Sequence, residues 1–261
     1  HEEFTRSLKA NRITVYAGVT VEDVSFNPLR TCTEVRYTQD KDGELRVIET
    51  DHVLYFGGRR PNTDKIALEN AGVDQDEQGY IKVNENYQSS TPNIYAAGDV
   101  IGFPALASAS FSQGRQAACH MFDIPNASVQ DNIPFGIYSI PSVASIGLSE
   151  QQAHKRDINY EIGRAYYGQT TQADITNNKV GMLKIVFDAD SLQLLGVHIV
   201  GENSTELVHI GQAVMAHKGN INYFVQHVLN YPTYSEAYRI AAFNGINRVY
   251  KLGHKYKETN T

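Results

Sequence analysis

"TPNIYAAGDVIGFPALASASFSQGRQAACHMF", residues 91–122, decides how this chain is read. A short apolar run, Asn93 to Ala97, closes in small residues and then in Gly98 and Asp99. A helix rich in small residues follows from Pro104. Strand, Gly-Asp and helix start form a ligand-binding device: the helix N-terminus offers unpaired N–H groups and a partial positive charge. Ala105, Ala107 and Ser108 let a flat ligand approach the backbone. Asp99 accepts hydrogen bonds from ligand hydroxyls on this reading, because ligands of open α/β sheets gather at the carboxyl ends of strands. On these residues alone a second reading stands beside it, in which Asp99 only caps a turn.

Outward from this stretch the chain divides by pattern. Residues 1–12 read as helix, and β-rich runs follow: "ITVYAG", "VTVEDVSF", "TEVRYTQ", "ELRVIET" and "VLYF". Asn27-Pro28 and Lys41-Asp42-Gly43 separate them as turns, so the region reads as an antiparallel meander ending in "GGRRPNT". Gly57 and Gly58 mark a tight turn or a close backbone approach. "DKIALENAGV" is a short helical segment stopped by Gly72. From about Pro134 a second region starts. Ser149 caps a helix with Gln152 in a capping box. "MLKIVFD" and "LQLLGVHIVG" form a hairpin through "DADS". "NSTELVHIGQAVMAHKG" is an amphipathic helix capped by Asn203 or Ser204, with Leu207, Val208, Gly211, Val214 and Met215 on its buried face and Gly219 closing it. A last helix runs from about Ser235 towards Val249, and a polar tail follows Lys251.

Composition removes several function classes. The 261 residues carry a net charge of −6 and no long basic run, which argues against nucleic acid as a partner. Lys155 and Arg156 read as solvated surface. No apolar run approaches the ~20 residues of a membrane span. Cys32 and Cys119 match no metal or redox spacing, and two cysteines fit a reducing cytoplasm. His209 and His217 lie too far apart on one helix to share a metal, so no metal site is expected. G-x-G-x-x-G, P-loop, G-x-S-x-G and H-E-x-x-H patterns are all absent.

"TPNIYAAGDV" resembles the second flavin-binding motif of the pyridine nucleotide–disulfide oxidoreductase family. "GRRPNT" resembles the end of that family's nicotinamide domain, and "IPSVASIGLSE" the start of its dimerisation domain. "YPTYSEAYR", residues 231–239, stands in the place of the family's His-Pro-Thr-x-Ser-Glu motif. The likeness runs from about residue 5 to 250, with the pieces in family order. It implies an α/β (α+β) fold: the C-terminal part of a flavoprotein with two dinucleotide-binding domains, then an α+β dimerisation domain with an antiparallel sheet. The implied domains are 1–62, the end of the NAD(P) domain; 63–132, the second FAD segment; 133–251, the dimerisation domain; and 252–261, a flexible tail.

Disulfide reductases of the family use the histidine before the proline as acid–base partner of a thiolate, because imidazole titrates near neutrality. Tyr231 replaces it here, and a phenol, titrating near ~10, is a poor proton shuttle at pH 7. The departure argues for the branch of the family that passes hydride between NADPH and NAD+ through FAD, a reaction that needs no such shuttle. Tyr231 is then either a catalytic group or a packing residue beside the flavin, acting in trans across a homodimer, and Glu236 matches the glutamate that orients the histidine. The likeness further implies that Gly98 and Asp99 meet the ribityl chain of FAD, that backbone N–H groups near Leu106 and Ala107 face the flavin, and that Gly58 lies near the nicotinamide nucleotide. Both glycine fingerprints of the family would lie before residue 1. The chain is therefore expected to be a C-terminal portion that alone holds FAD weakly or not at all and does not turn over NADPH. A related disulfide or metal-ion reductase and a catalytically inactive dimerisation module are the alternatives.

Overall fold

The computed structural model describes residues 2–125 and 132–258. The chain divides into two compact units, one of Leu8–Phe103 and one of His1–Ser7 with Pro104–Thr261. The fold mixes helices with antiparallel sheets throughout.

After helix α1 (Glu2–Ala10), the smaller unit opens with a meander of β1 (Val19–Asn27), β2 (Cys32–Gln39) and β3 (Leu45–Thr50), in the order β1-β2-β3. The turns form where the sequence places breakers. Asn27 Oδ1 accepts the Leu29 N–H at 3.1 Å, and Gly43, at φ 66°, donates to the Gln39 carbonyl at 2.8 Å. The runs "ITVYAG" and "VLYF" are not strands. β-rich composition makes a strand only where a neighbouring ladder satisfies its backbone, and the three-stranded sheet pairs neither run.

Beyond the meander, Leu68, Val73, Ile81 and Ala96 form a small core. The helix expected over "DKIALENAGV" is a single 3₁₀ turn, Leu68–Ala71, closed by Gly72 at φ 66°. The strand expected before Gly98 is reduced to one bridge, Gln88 to Tyr95. Apolar content suffices there for packing, with Ala96 buried, but the segment gains no ladder.

The larger unit holds α2 (Ala107–Met121), β4 (Phe135–Ile137), β5 (Val143–Gly147), α3 (Glu150–Lys155), β6 (Tyr160–Tyr166), α4 (Thr171–Thr176), β7 (Gly181–Asp188), β8 (Leu194–Gly201), α5 (Ser204–Ala216), α6 (Asn222–Gln226) and α7 (Glu236–Glu258). Its five strands lie in the order β4-β5-β8-β7-β6, every neighbouring pair antiparallel. Leu183, Ile185 and Phe187 of β7 and Val197 and Ile199 of β8 are fully buried in one cluster with Phe224 of α6 and Tyr238 of α7. Full burial of such side chains stabilises by roughly 1.5–3 kcal/mol each. Val186 points the other way, to Ala153 of α3 and Ile162 of β6. Ser149 caps α3 through the Gln152 box. The buried positions of α5 include all five expected from its pattern. Asn203 sits at its N-cap in a left-handed conformation with no side-chain capping hydrogen bond.

Helix α7 continues to Glu258, past the end expected near Val249, so the segment 252–261 anticipated as a tail is helical as far as it is described. Residues 259–261 and 126–131, just before the expected domain start at 133, lie outside the described residues. No helix among the described residues is long and apolar enough to cross a membrane.

Candidate functional site

The candidate residues anticipated from the sequence lie in both units, Tyr231, Glu236, Leu106 and Ala107 in the larger and Gly58, Gly98 and Asp99 in the smaller. In the larger unit the loop Asn230–Ser235 enters α7. Thr233 Oγ1 donates to the Asn230 carbonyl at 2.8 Å, and the Tyr231–Pro232 peptide is cis. Tyr234 anchors this loop. Its ring is 4% exposed and stacks on buried Tyr167 at 4.5 Å between centroids. Its hydroxyl bonds with Thr176 Oγ1 at 2.9 Å and with Glu202 Oε2 at 3.3 Å. Burial pushes the Tyr234 phenol up, and the Glu202 carboxylate reinforces that against the Thr176 hydrogen bond.

Tyr231 points outward, 68% exposed. Its hydroxyl shares a hydrogen bond of 2.6 Å with Thr171 Oγ1. The same Thr171 donates its backbone N–H to Glu236 Oε2 at 3.3 Å. The fold thus brings Tyr231 and Glu236 to one residue at the start of α4. Beside them runs an open groove of about 420 Å³, lined by Gln172, Glu206, Leu207, Ile210, Pro232 and Tyr234 among others.

In the smaller unit Gly98 takes φ 85° and ψ −158°, a region open essentially to glycine alone. This backbone turns the chain into the 3₁₀ segment Asp99–Ile101, and the Ile101 N–H returns to the Gly98 carbonyl at 3.0 Å. Asp99 leaves its carboxylate 54% exposed, with Arg59 Nη1 donating to Oδ2 at 2.9 Å. Gly58, one residue earlier, has φ 115°, and a Cβ there would meet nothing within 4 Å. Conformation rather than crowding selects glycine at 58 within this unit. Arg59, Arg60, Thr63, Gln78, Gly79 and Tyr80 border a basin of about 490 Å³.

Leu106 and Ala107 belong to the larger unit, at the start of α2. Leu106 is extended, with φ −128° and ψ 135°, and supplies no side-chain cap. The first turn of this 15-residue helix therefore keeps donors that no N-cap side chain satisfies. Among the described residues, no group of three or more His, Cys, Asp or Glu is placed to hold a metal ion.

Sequence reasoning did not find Thr171 or Tyr234. The local signal for α4 is present in "TTQADITN": Thr170 Oγ1 accepts the Ala173 N–H at 3.3 Å, and Asn177 closes the helix in a left-handed conformation. Nothing local tells that α4 meets a loop sixty residues later.

Residues 1–114 match the family described as pyridine nucleotide-disulphide oxidoreductase, and residues 133–242 match its dimerisation domain. Proteins named soluble pyridine nucleotide transhydrogenase share 46% identity in Marinomonas sp. and 47% in Pseudomonas aeruginosa, each over 206 residues. The alignments cover 78% of this chain and 44% of those proteins, so the chain spans less than half the length of these relatives. Among solved structures, the HOCl-induced flavoprotein disulfide reductase RclA from Escherichia coli superposes with a TM-score of 0.82 at 21% identity, over 92% of this chain and 54% of that one. LpdA from Mycobacterium tuberculosis superposes at 0.79 with 22% identity, over 92% and 51%. At these identities the structures share the fold.

Proposed function

This chain belongs to the pyridine nucleotide-disulphide oxidoreductase family, and on that premise we propose that it serves FAD-dependent hydride transfer between NADPH and NAD+. The observation that carries the reading is Tyr231. An exposed phenol, held by a threonine hydroxyl, stands where a disulfide reductase needs an imidazole. Hydride exchange between nicotinamides calls for no protonated partner at that point, and the relatives' name is that of such an exchange.

Each unit, taken by itself, carries residues that suit a flavin. Gly98 adopts a backbone that admits no side chain easily, next to a carboxylate open to hydroxyl donors at Asp99. The N–H groups after Leu106, at Ala107 and beyond, have no side-chain cap and favour electron-rich atoms. When bound, FAD would supply the two-electron chemistry of hydride exchange between nicotinamides. Gly98 and Asp99 would hold the ribityl chain, and the start of α2 would face the ring. Gly58, with the Arg59–Tyr80 basin, would border the nicotinamide nucleotide. The 133–242 match supports a homodimer through the larger unit, and Tyr231 and Glu236 would then be presented to the partner's flavin.

The test is hydride transfer from NADPH to a thionicotinamide analogue of NAD+, followed in a flavin-loaded protein that joins this chain to the family's two glycine fingerprints, beside disulfide reduction with lipoamide and glutathione disulfide. Transfer to the analogue with negligible disulfide reduction, retained in Tyr231→Phe within about threefold, is expected. Faster disulfide reduction than hydride exchange would overturn the reading, and a loss beyond a hundredfold in Tyr231→Phe would make the phenol a proton-transfer group.

A further inference from the structure

We propose that Thr171 is a positioning residue for Tyr231, the element through which Glu236 reaches the phenol. The inference rests on the reading of Tyr231 as the group presented to the partner's flavin. The motif supplies Tyr231 and Glu236, five residues apart, and the structure joins them through a third residue from elsewhere in the chain. Thr171 Oγ1 meets the Tyr231 hydroxyl at 2.6 Å, and the Thr171 N–H meets Glu236 Oε2 at 3.3 Å.

Thr171 is itself firmly placed. Thr170, 1% exposed, donates to the Tyr167 carbonyl at 2.8 Å and caps α4, so the helix start is tied to the core from below. At the other end of α4, Thr176 Oγ1 bonds with the Tyr234 hydroxyl at 2.9 Å. The short helix therefore grips the Tyr231–Tyr234 loop at two points, one through each tyrosine. An outward-facing tyrosine otherwise samples several rotamers, and a hydrogen bond to a fixed hydroxyl narrows that set. The motif's glutamate, which serves a histidine in the reductases it resembles, here steadies the backbone that holds a phenol.

The experiment reads the phenol directly and needs no turnover. The protein is labelled with 3-fluorotyrosine, and the ¹⁹F resonance missing from Tyr231→Phe identifies Tyr231 among the sixteen tyrosines of this chain. Thr171→Val, nearly isosteric, is expected to move that resonance towards free 3-fluorotyrosine, and Thr171→Ser to leave it in place. Glu236→Ala is expected to move it the same way in the parent and to add nothing in Thr171→Val, as a coupled pair requires. An unmoved resonance in Thr171→Val overturns the proposal. So does a Glu236→Ala shift that persists undiminished in Thr171→Val, since the carboxylate would then act on the phenol without the threonine. Circular dichroism matching the parent confirms that each variant is folded. Failure of the hydride-transfer reading would leave these shifts unchanged, so the two failures are distinguishable.

Discussion

The Tyr238 hydroxyl donates to the Leu207 carbonyl at 2.8 Å and so ties α7 to α5 inside the core of the larger unit. The same oxygen receives the Gly211 N–H at 3.2 Å. Burial pushes this phenol well above its ordinary range, so it stays a neutral donor. Tyr238→Phe keeps the ring, which stacks on Phe224 at 4.7 Å, and removes only the hydroxyl. The expected loss is on the order of 1 kcal/mol, the net worth of a neutral hydrogen bond, read as a lower urea midpoint at unchanged slope. A midpoint equal to the parent's would mean that the helices hold their register without it.

Gly163 marks a close approach of α7 to the sheet. A Cβ added there would stand 2.0 Å from the Ala241 carbonyl oxygen, a backbone atom that cannot swing away. Gly163→Ala is expected to destabilise by about 1–3 kcal/mol or more, as overpacking does. Gly114, in the middle of α2, has nothing within 4 Å of the same position. Gly114→Ala should stabilise by about 0.5–1 kcal/mol through helix propensity alone. Thermal unfolding of the two variants side by side checks both signs, and equal effects would refute the close helix–sheet contact.

These contacts show what could be read locally and what could not. The α3 cap at Ser149 and the α5 face through Leu207, Gly211 and Val214 depend on neighbours three or four residues away, so their pattern sufficed. β6 escaped notice because Gly163 and Ala165 are small to admit α7, which thins its apolar signal. "VLYF" has the composition of a strand, yet no neighbouring ladder takes it up. In the candidate site, a motif singles out Tyr231 and Glu236, whereas Thr171 joins them by a tertiary contact sixty residues long.

Acid should weaken the larger unit in two stages. The His198 Nε2–H donates to the Leu148 carbonyl at 3.0 Å. Burial lowers the His198 pKa, the Leu148 hydrogen bond opposes that, and the Lys184 charge reinforces it. A histidine depressed in the fold contributes stability that is complete above the unfolded value, near ~6.5, and is lost as pH falls towards the folded one. Glu150 acts lower on the scale. Burial raises its carboxyl, but the Lys184 hydrogen bond at 2.5 Å and the charges of Lys184 and Arg164 outweigh it and hold it below the ordinary range. Its contribution is present above about pH 4.3 and disappears below it. Unfolding midpoints across pH 3–8 should lose the upper slope in His198→Gln and the lower slope in Glu150→Gln. A parent profile flat between pH 5 and 7 would contradict the first stage.

Asp99 is held by Arg59 at 2.9 Å, and both side chains are largely exposed, so the pair offers little to the fold. Exposed pairs contribute roughly 0–1 kcal/mol, and Arg59→Ala should leave unfolding near the parent's. The carboxylate matters for another reason if it receives the hydroxyls of a flavin's ribityl chain. Hydrogen bonds to a charged group are worth about 1.5–3 kcal/mol, so Asp99→Ala should weaken flavin retention by roughly 10- to 150-fold. Asp99→Asn, which keeps an acceptor oxygen without the charge, should fall between. Flavin titration of the stripped protein, with this chain joined to the family's two glycine fingerprints, reads all three variants on one scale. Parent-like affinity in Asp99→Ala would return Asp99 to a mere turn residue, while a loss confined to the Asp99 variants would separate its role from the ion pair with Arg59.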